Sequence, residues 1–169
     1  MTIYGKTVSQ YVQFQGPILG FILVVGLARL ALSLAGVSTS SVKYFSLTAA
    51  WLLGLVILSI LVHTRSFGSY KQLLPLVAIQ TLVAHAFTAA AVVLAIVTTR
   101  DNIFSLPEYS GGADGKTWLH VGAHLFLAIP VVTLGGWLIG SAILSLTRKV
   151  APSDDKTDTP KGRARAAGA

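Results

Sequence analysis

Histidines and one arginine stand within or beside strongly apolar stretches of this sequence, where an ionisable side chain usually marks function. His120 and His124 are four residues apart, so on a helix both imidazoles point to the same side. Such a pair offers two nitrogen ligands to zinc, copper or iron, or to a haem. Carboxylates of the preceding polar stretch can complete the set: Asp101, Glu108 and Asp114. The sequence therefore predicts a metal or haem site here.

The same histidine pair has a purely structural alternative. Both residues stand beside Trp118 at the edge of an apolar stretch, where they can hydrogen-bond to the loop and to lipid headgroups. The residues between them are Val121, Gly122 and Ala123, so the glutamate that acts as general base in the metalloprotease motif is missing. No group of nucleophile, base and orienting residue is visible in the sequence, and hydrolase chemistry has no support.

Arg29 and His85 form a second candidate site, deeper in the apolar sequence. If their apolar stretches are centred near residues 27 and 87, both side chains lie near the middle of a bilayer. No carboxylate occurs in these stretches, and an ionised arginine at that depth costs at least a few kcal/mol. A ligand with a negative or carbonyl oxygen, such as a quinone, a haem propionate or an anion, would satisfy Arg29. The alternatives are snorkelling of Arg29 to the headgroups and a neutral interhelical hydrogen bond from His85.

Four apolar stretches carry these residues. Hydrophobic residues make up 53% of the chain and charged residues 11%, against roughly a quarter charged in soluble domains. Each stretch has at least the ~20 residues that cross a hydrocarbon core of ~30 Å. The sequence predicts an all-α integral membrane protein, a four-helix up-down-up-down bundle. Its predicted spans are residues 16–37, 44–63, 75–98 and 117–146, with a connecting loop at residues 99–116.

The two ends of the chain are predicted to lie outside this membrane domain of residues 16–147. Residues 1–15 form a polar and aromatic N-terminal segment, and residues 148–169 a basic tail without an apolar face, which is predicted to be disordered. Residues 33–35 resemble the cleavage site of a signal peptide. Arg29 within the run and the length of the run favour a retained helix instead.

Basic residues predict the orientation. Nine of the thirteen Lys and Arg residues belong to the two ends and to the loop after the second span, whereas the opposite loops hold three. Because cytoplasmic loops carry an excess of Lys and Arg, both termini are predicted to be cytoplasmic and residues 99–116 periplasmic or extracellular. The predicted location is a bacterial inner membrane, with lipids as partners. Because the basic residues behind the net charge of +7 are placed as this topology requires, no nucleic-acid partner is expected.

Small residues four apart predict where helices approach closely. Gly16 with Gly20 and Gly136 with Gly140 have this spacing, and they serve either the bundle itself or a homo-oligomer. The loop residues Ile103, Phe104, Leu106 and Tyr109 are apolar enough to form a cap on the outer mouth of the bundle.

The depth of the histidines limits what one cofactor can bridge. If the last ~20 residues of the fourth span fill the bilayer, His124 lies at its outer edge, on the order of 15 Å from the level of His85. One haem is then not expected to take both imidazoles. The chain resembles small four-helix di-haem cytochromes b in length and span count only, and no family is assigned.

Three functions remain open at this point. The first is a redox or metal/haem-binding membrane subunit. The second is a non-catalytic accessory or assembly subunit of a larger membrane complex, and the third is a small transporter that uses Arg29 and His85 as an anion or proton relay. The absence of carboxylates in the spans weighs against a cation- or proton-coupled carrier. Whether the protein is an enzyme stays open, and no catalytic residue is assigned.

Overall fold

Helices dominate the computed structural model of the protein, which describes residues 2–109, 112 and 114–151. Its elements in chain order are β1 (Thr2–Ile3), β2 (Lys6–Thr7), α1 (Val8–Leu34), α2 (Thr39–Val42), α3 (Leu47–Thr64), α4 (Tyr70–Thr98), a 3-10 turn (Pro107–Tyr109), α5 (Trp118–Gly122), a π-helical segment (Ala123–Ala128) and α6 (Ile129–Val150). The last three are continuous and are called the last helical stretch (Trp118–Val150).

Four helical stretches of the described residues are long and apolar enough to cross a membrane. They are α1, Thr39–Thr64, α4 and the last helical stretch. The prediction of an all-α protein with four apolar helices is thereby confirmed. The last stretch continues to Val150, beyond the predicted end at residue 146, while the rest of the predicted tail, from residue 152 on, lies outside the described residues.

α1 begins at Val8 instead of the predicted Gly16, because a capping box starts the helix upstream. The Gln10 backbone N–H donates to the Thr7 hydroxyl at 3.2 Å, and the Thr7 N–H donates to the Gln10 side-chain oxygen at 2.7 Å. These bonds satisfy N–H groups that a helix start leaves free. Pro17 consequently lies inside the helix and not at its first turn.

Hydrogen bonds join the ends of separate helices. The β1–β2 hairpin turns through Tyr4 and Gly5, both with positive φ (49° and 83°). The Gln72 side-chain amide donates to the Tyr4 carbonyl at 3.0 Å, which links the segment before α1 to the start of α4. His63 Nε2 donates to the Ala151 carbonyl at 2.9 Å, which links the end of α3 to the end of α6.

One part of the core lies in the half of the bundle that adjoins these contacts. Its fully buried apolar side chains come from α3, α4 and α6 and are Leu55, Leu58, Val62, Leu73, Leu76, Val77 and Leu144. Glycines let α6 approach: a Cβ added at Gly136 would lie 2.7 Å from the Trp51 ring, and one at Gly140 would lie 2.9 Å from its nearest neighbour. Added Cβ atoms at Gly16 and Gly20 would meet nothing within 4 Å, so that pair faces open space.

The connection between α4 and α5 folds back into the bundle. Thr99 ends α4 in a left-handed conformation (φ 56°), which reverses the chain. The Asn102 side chain then donates to the Ala91 carbonyl at 2.7 Å, and the Ile103 N–H donates to the Ser33 hydroxyl at 2.8 Å. Ile103 is 1% exposed, so the connection contributes to the core as the predicted apolar cap requires.

The π-helical segment has a local cause in Pro130. Proline has no N–H, so the α-helical bond from residue 130 to the carbonyl of Phe126 cannot form. The backbone widens to π spacing over Ala123–Ala128 instead, and this segment contains His124. Such widened turns frequently occur at functional sites.

Candidate functional site

Three of the four histidines form a hydrogen-bonded chain from the α4–α5 connection into the bundle. His120 Nδ1 lies 2.9 Å from the carbonyl oxygen of Gly115, and His120 Nε2 lies 3.1 Å from His124 Nε2. His124 Nδ1 in turn lies 2.9 Å from His85 Nδ1. We call His120, His124 and His85 the histidine chain. The fourth histidine, His63, lies at the far end of α3.

The elements position these three rings in different ways. His120 belongs to α5, whose first turn is capped by the Thr117 hydroxyl, which accepts from the His120 backbone N–H at 3.2 Å. His124 lies one turn later in the π-helical segment, and the two ring centroids are 4.9 Å apart. His85 lies in the middle of α4, 5.1 Å from His124 between ring centroids. The spacing of four therefore places both imidazoles of the pair on one side, facing α4.

The contact between His85 and His124 corrects the predicted offset of about 15 Å between their levels. The reason is the fold of the α4–α5 connection, whose Asn102 bonds to Ala91 within α4. A loop that lay above the helix ends would place the start of the last helical stretch near the end of the bundle. Because the connection descends along α4 instead, this stretch starts deeper in the bundle.

The short distance between these rings favours a hydrogen bond over a shared metal ion. Two imidazoles on opposite faces of one haem iron stand about 4 Å apart, twice a metal–nitrogen bond of ~2 Å. The His85 and His124 Nδ1 atoms are 2.9 Å apart, which is a hydrogen-bond distance. Both nitrogens of His124 contact another imidazole, so neither lone pair is free for a metal in this arrangement.

The predicted acidic ligands do not join the histidine pair. Lys116 is hydrogen-bonded to Asp101 and lies 3.8 Å from Asp114, while Glu108 is exposed in the 3-10 turn. The hydrogen bond to Asp101 raises the pKa of Lys116. In the described part of the chain, no group of three or more His, Asp or Glu side chains is arranged to hold a metal ion. The metal site stays a prediction from the sequence.

A cavity of about 290 Å³ opens beside His85 and His124. Side chains of all four helical stretches and of the α4–α5 connection line it: Arg29, Leu47, Thr48, Trp51, Ala84, His85, Thr88, Ile103, Phe104, Tyr109, His124 and Val132. Most of this wall is apolar, with a few convergent polar groups, as is typical of ligand sites. Its volume is near the lower limit of the ~300–1,000 Å³ of such sites, so a small ligand fits best.

Arg29 lies in the wall of this cavity and is only 8% exposed. Its Nη1 donates to the Phe45 carbonyl at 3.4 Å, whereas its Nε is buried without a hydrogen-bond partner. The rings of Phe104 and Tyr109 stand 5.3 and 5.0 Å from the guanidinium carbon. Within the described residues every ion pair belongs to Lys116, so no carboxylate neutralises Arg29.

The structure thus brings Arg29 and His85 to one cavity and connects His85 to the outer histidine pair. The Arg29 guanidinium contacts the Phe45 carbonyl just before α3 and the ring of Tyr109 in the α4–α5 connection. Comparison with known proteins gave no match to a family model, a curated protein or a solved structure. The case for a function therefore rests on the geometry of the cavity.

Sequence reasoning missed several groups that shape the site. The Gly115 carbonyl accepts from His120, and the Phe45 carbonyl accepts from Arg29. A backbone carbonyl leaves no signal in a sequence. Trp51 lines the cavity and is fixed by a hydrogen bond from its Nε1 to the Thr81 hydroxyl at 3.2 Å. A tryptophan and a threonine within two uncharged spans were visible signals of an interhelical bond.

Proposed function

We propose that this chain is an integral membrane protein of up-down-up-down topology with both ends in the cytoplasm and residues 99–116 outside. The four apolar helical stretches support the membrane placement. The distribution of Lys and Arg supports the orientation, and a bacterial inner membrane fits it. The bonds between the hairpin and α4, and between the ends of α3 and α6, agree with four antiparallel crossings.

Within this membrane domain, the cavity binds a small ligand that carries a negative or carbonyl oxygen. The observation that carries this proposal is that Arg29 and His85 line the same small cavity. Among the residues that the structure describes, Arg29 is a buried cation without an acidic partner, and it keeps an unused N–H group. A carbonyl oxygen would supply the missing acceptor, and an anionic oxygen would supply the missing charge as well, since guanidinium hydrogen bonds to charged oxygens are among the strongest in proteins.

The histidine chain connects this ligand to the outer face. An imidazole can take up a proton on one ring nitrogen and release another from the second, which makes histidine a proton shuttle. Three imidazoles in hydrogen-bond contact therefore carry a proton between the cavity and the start of α5 near Gly115. In this arrangement histidines take the place of the intramembrane carboxylates that the spans lack. The function is proton-linked binding of an oxygen-bearing ligand from the outer side, the anion or proton-relay class.

Calorimetric titration of the purified protein in lipid nanodiscs tests this function. The panel contains short carboxylic acids, inorganic oxyanions and a short-chain quinone. For the ligand that binds, Arg29→Gln and His85→Ala should weaken affinity at least tenfold, equivalent to ~1.4 kcal/mol. Arg65→Gln and His63→Ala are matched controls, because neither residue lines the cavity, and both should bind normally. Binding of no compound in the panel, or equal losses in the controls, contradicts the proposal.

A further inference from the structure

The Gly115 carbonyl determines where each proton of the histidine chain resides. A carbonyl oxygen only accepts, so His120 Nδ1 must be the donor of that bond. A neutral imidazole has one donor and one acceptor nitrogen, so His120 Nε2 accepts from His124 Nε2. His124 Nδ1 must then accept from His85 Nδ1. In the neutral chain, His85 Nε2 therefore carries no proton.

This leaves a free lone pair at the cavity. His85 lines the cavity, and its Nε2 makes no hydrogen bond within the described residues. Arg29 in the same wall is permanently protonated and can only donate. Beside the hydroxyls of Thr48, Thr88 and Tyr109, the cavity thus offers its ligand a neutral acceptor and a cationic donor. The other titratable groups that line it are Tyr109 and His124.

We propose that the ligand is a small monocarboxylic acid that enters together with one proton. This inference rests on the proposed function and specifies its ligand. In the complex the carbonyl oxygen accepts from Arg29, and the acid O–H donates to His85 Nε2. A carboxylate without its proton would bring an oxygen lone pair against the lone pair of His85. If the proton passes onto the histidine chain, the complex holds the same atoms and the same charge.

The apolar wall determines the rest of the ligand. An inorganic oxyanion has hydrogen-bonding oxygens on every side. The cavity wall includes the side chains of Leu47, Trp51 and Val132, which offer such oxygens no hydrogen bond apart from the indole N–H. That N–H of Trp51 already donates to Thr81. A short hydrocarbon group on the carboxyl matches this wall and the volume of about 290 Å³. A quinone carries two carbonyl acceptors and no donor for His85.

Four compounds with the same hydrocarbon group separate these possibilities by titration in nanodiscs. Butyramide offers a carbonyl and an N–H donor at every pH and should bind equally at about pH 7.5 and pH 9, where an ordinary imidazole is mostly neutral. Butyric acid should lose about tenfold in apparent affinity per pH unit once the pH exceeds its carboxyl pKa of ~4–5. Methyl butyrate, which has no donor, and propanesulfonate, which stays an anion, should bind at least tenfold more weakly than butyramide.

The outcomes separate this inference from the function on which it rests. Binding of the ester or of a quinone as tightly as the amide overturns the carboxylic acid while leaving an oxygen-bearing ligand in place. The same holds for tight binding of propanesulfonate at pH 8. If none of these compounds and none of the broader panel binds, both proposals fail together.

The protonation pattern has its own test in nitrogen-15 NMR of histidine-labelled protein. Protonated and unprotonated ring nitrogens are distinguished by their chemical shifts. We expect Nδ1–H at His85 and His120 and Nε2–H at His124, with Nε2–H at His63 as an internal reference for a bond to a carbonyl. A proton on His85 Nε2 at pH 8 in the ligand-free protein overturns the inference.

His124→Ala shows whether the chain acts through His85. Without the acceptor of its Nδ1 proton, His85 is free to carry the proton on Nε2, so the preference for the amide over the ester should shrink at least tenfold. Loss of folding would lower the affinities for the amide and the ester alike, so the ratio of the two affinities would not change. A purely structural role of His124 would also leave this ratio unchanged. An unchanged ratio therefore contradicts the proposed role of the histidine chain.

Discussion

Gly136→Ala should destabilise the protein, whereas the neighbouring Gly135→Ala should not. A Cβ at Gly136 would lie 2.7 Å from Cη2 and 2.9 Å from Cζ2 of Trp51, and 3.0 Å from a methyl carbon of Val77. A Cβ at Gly135 would meet nothing within 4 Å. The two substitutions change the same helix by the same atom, one residue apart.

The size of the difference follows from how firmly Trp51 is held. Its Nε1 donates to the Thr81 hydroxyl at 3.2 Å, and its carbonyl accepts from the Gln80 side chain at 2.6 Å. The ring therefore cannot move aside without loss of a buried hydrogen bond. Overpacking of this kind costs ~1–3 kcal/mol. Replacement of a helical glycine by alanine contributes ~0.5–1 kcal/mol in the opposite direction in both variants. That contribution cancels between them, and a difference of about 1–3 kcal/mol remains.

Unfolding by dodecyl sulfate in mixed micelles, followed by far-ultraviolet circular dichroism, measures this difference. Gly135→Ala should unfold at the wild-type detergent fraction or above it, and Gly136→Ala at a clearly lower fraction than Gly135→Ala. Because Trp51 lines the cavity, Gly136→Ala should also weaken ligand binding. Coincident unfolding curves for the two variants would refute the packing of α6 against α3 described above.

Three further changes test the parts that position the site. Asn102→Ala removes the hydrogen bond to the Ala91 carbonyl and the one from the Phe104 N–H. The α4–α5 connection should lose ~1–3 kcal/mol of stability, which is measured as faster hydrogen exchange of its amides. Unchanged exchange contradicts this expectation. Pro130→Ala restores an N–H, so the π-helical segment can become α-helical. Loss of the widened turn rotates the residues before it about the helix axis by roughly 100° in total, the angle of one residue, and should shift the histidine NMR signals. Unchanged signals contradict this expectation. Asp101→Asn should leave the unfolding midpoint at pH 7 unchanged, since exposed ion pairs contribute little, and several degrees of change contradict it. Because Asp101 raises the Lys116 pKa above 10.5, any contribution of this pair is present below that pH and is lost above it.

The number and type of the helices could be predicted because the bilayer imposes both. A crossing needs ~20 apolar residues, and its backbone must satisfy its own hydrogen bonds. The start of α1 at Val8 was missed because hydropathy ignores capping. Thr7 and Gln10 have the spacing of a capping box, so this signal was present in the polar segment before the apolar run.

Two residues of the cavity could be singled out from the sequence, whereas their contacts could not. Arg29 and His85 stood out because ionisable groups are rare in apolar spans, and both line one cavity. The contact of His85 with His124 depends on how far the α4–α5 connection descends into the bundle. That descent rests on the bonds of Asn102 and Ile103 to groups far away in sequence, which a pattern of residue types does not encode.

The unpaired charge of Arg29 links the stability of the ligand-free protein to its proposed function. With neutral imidazoles, Arg29 is a fixed charge in the interior of the bundle, and an unpaired buried charge costs several kcal/mol. The rings of Phe104 and Tyr109 return only ~0.5–2 kcal/mol of this cost. The ligand-free protein should therefore be less stable than its apolar counterpart, and Arg29→Met should raise the unfolding midpoint while it abolishes binding. A lower midpoint in Arg29→Met would mean that Arg29 stabilises the fold and that the cavity needs no anionic or carbonyl oxygen.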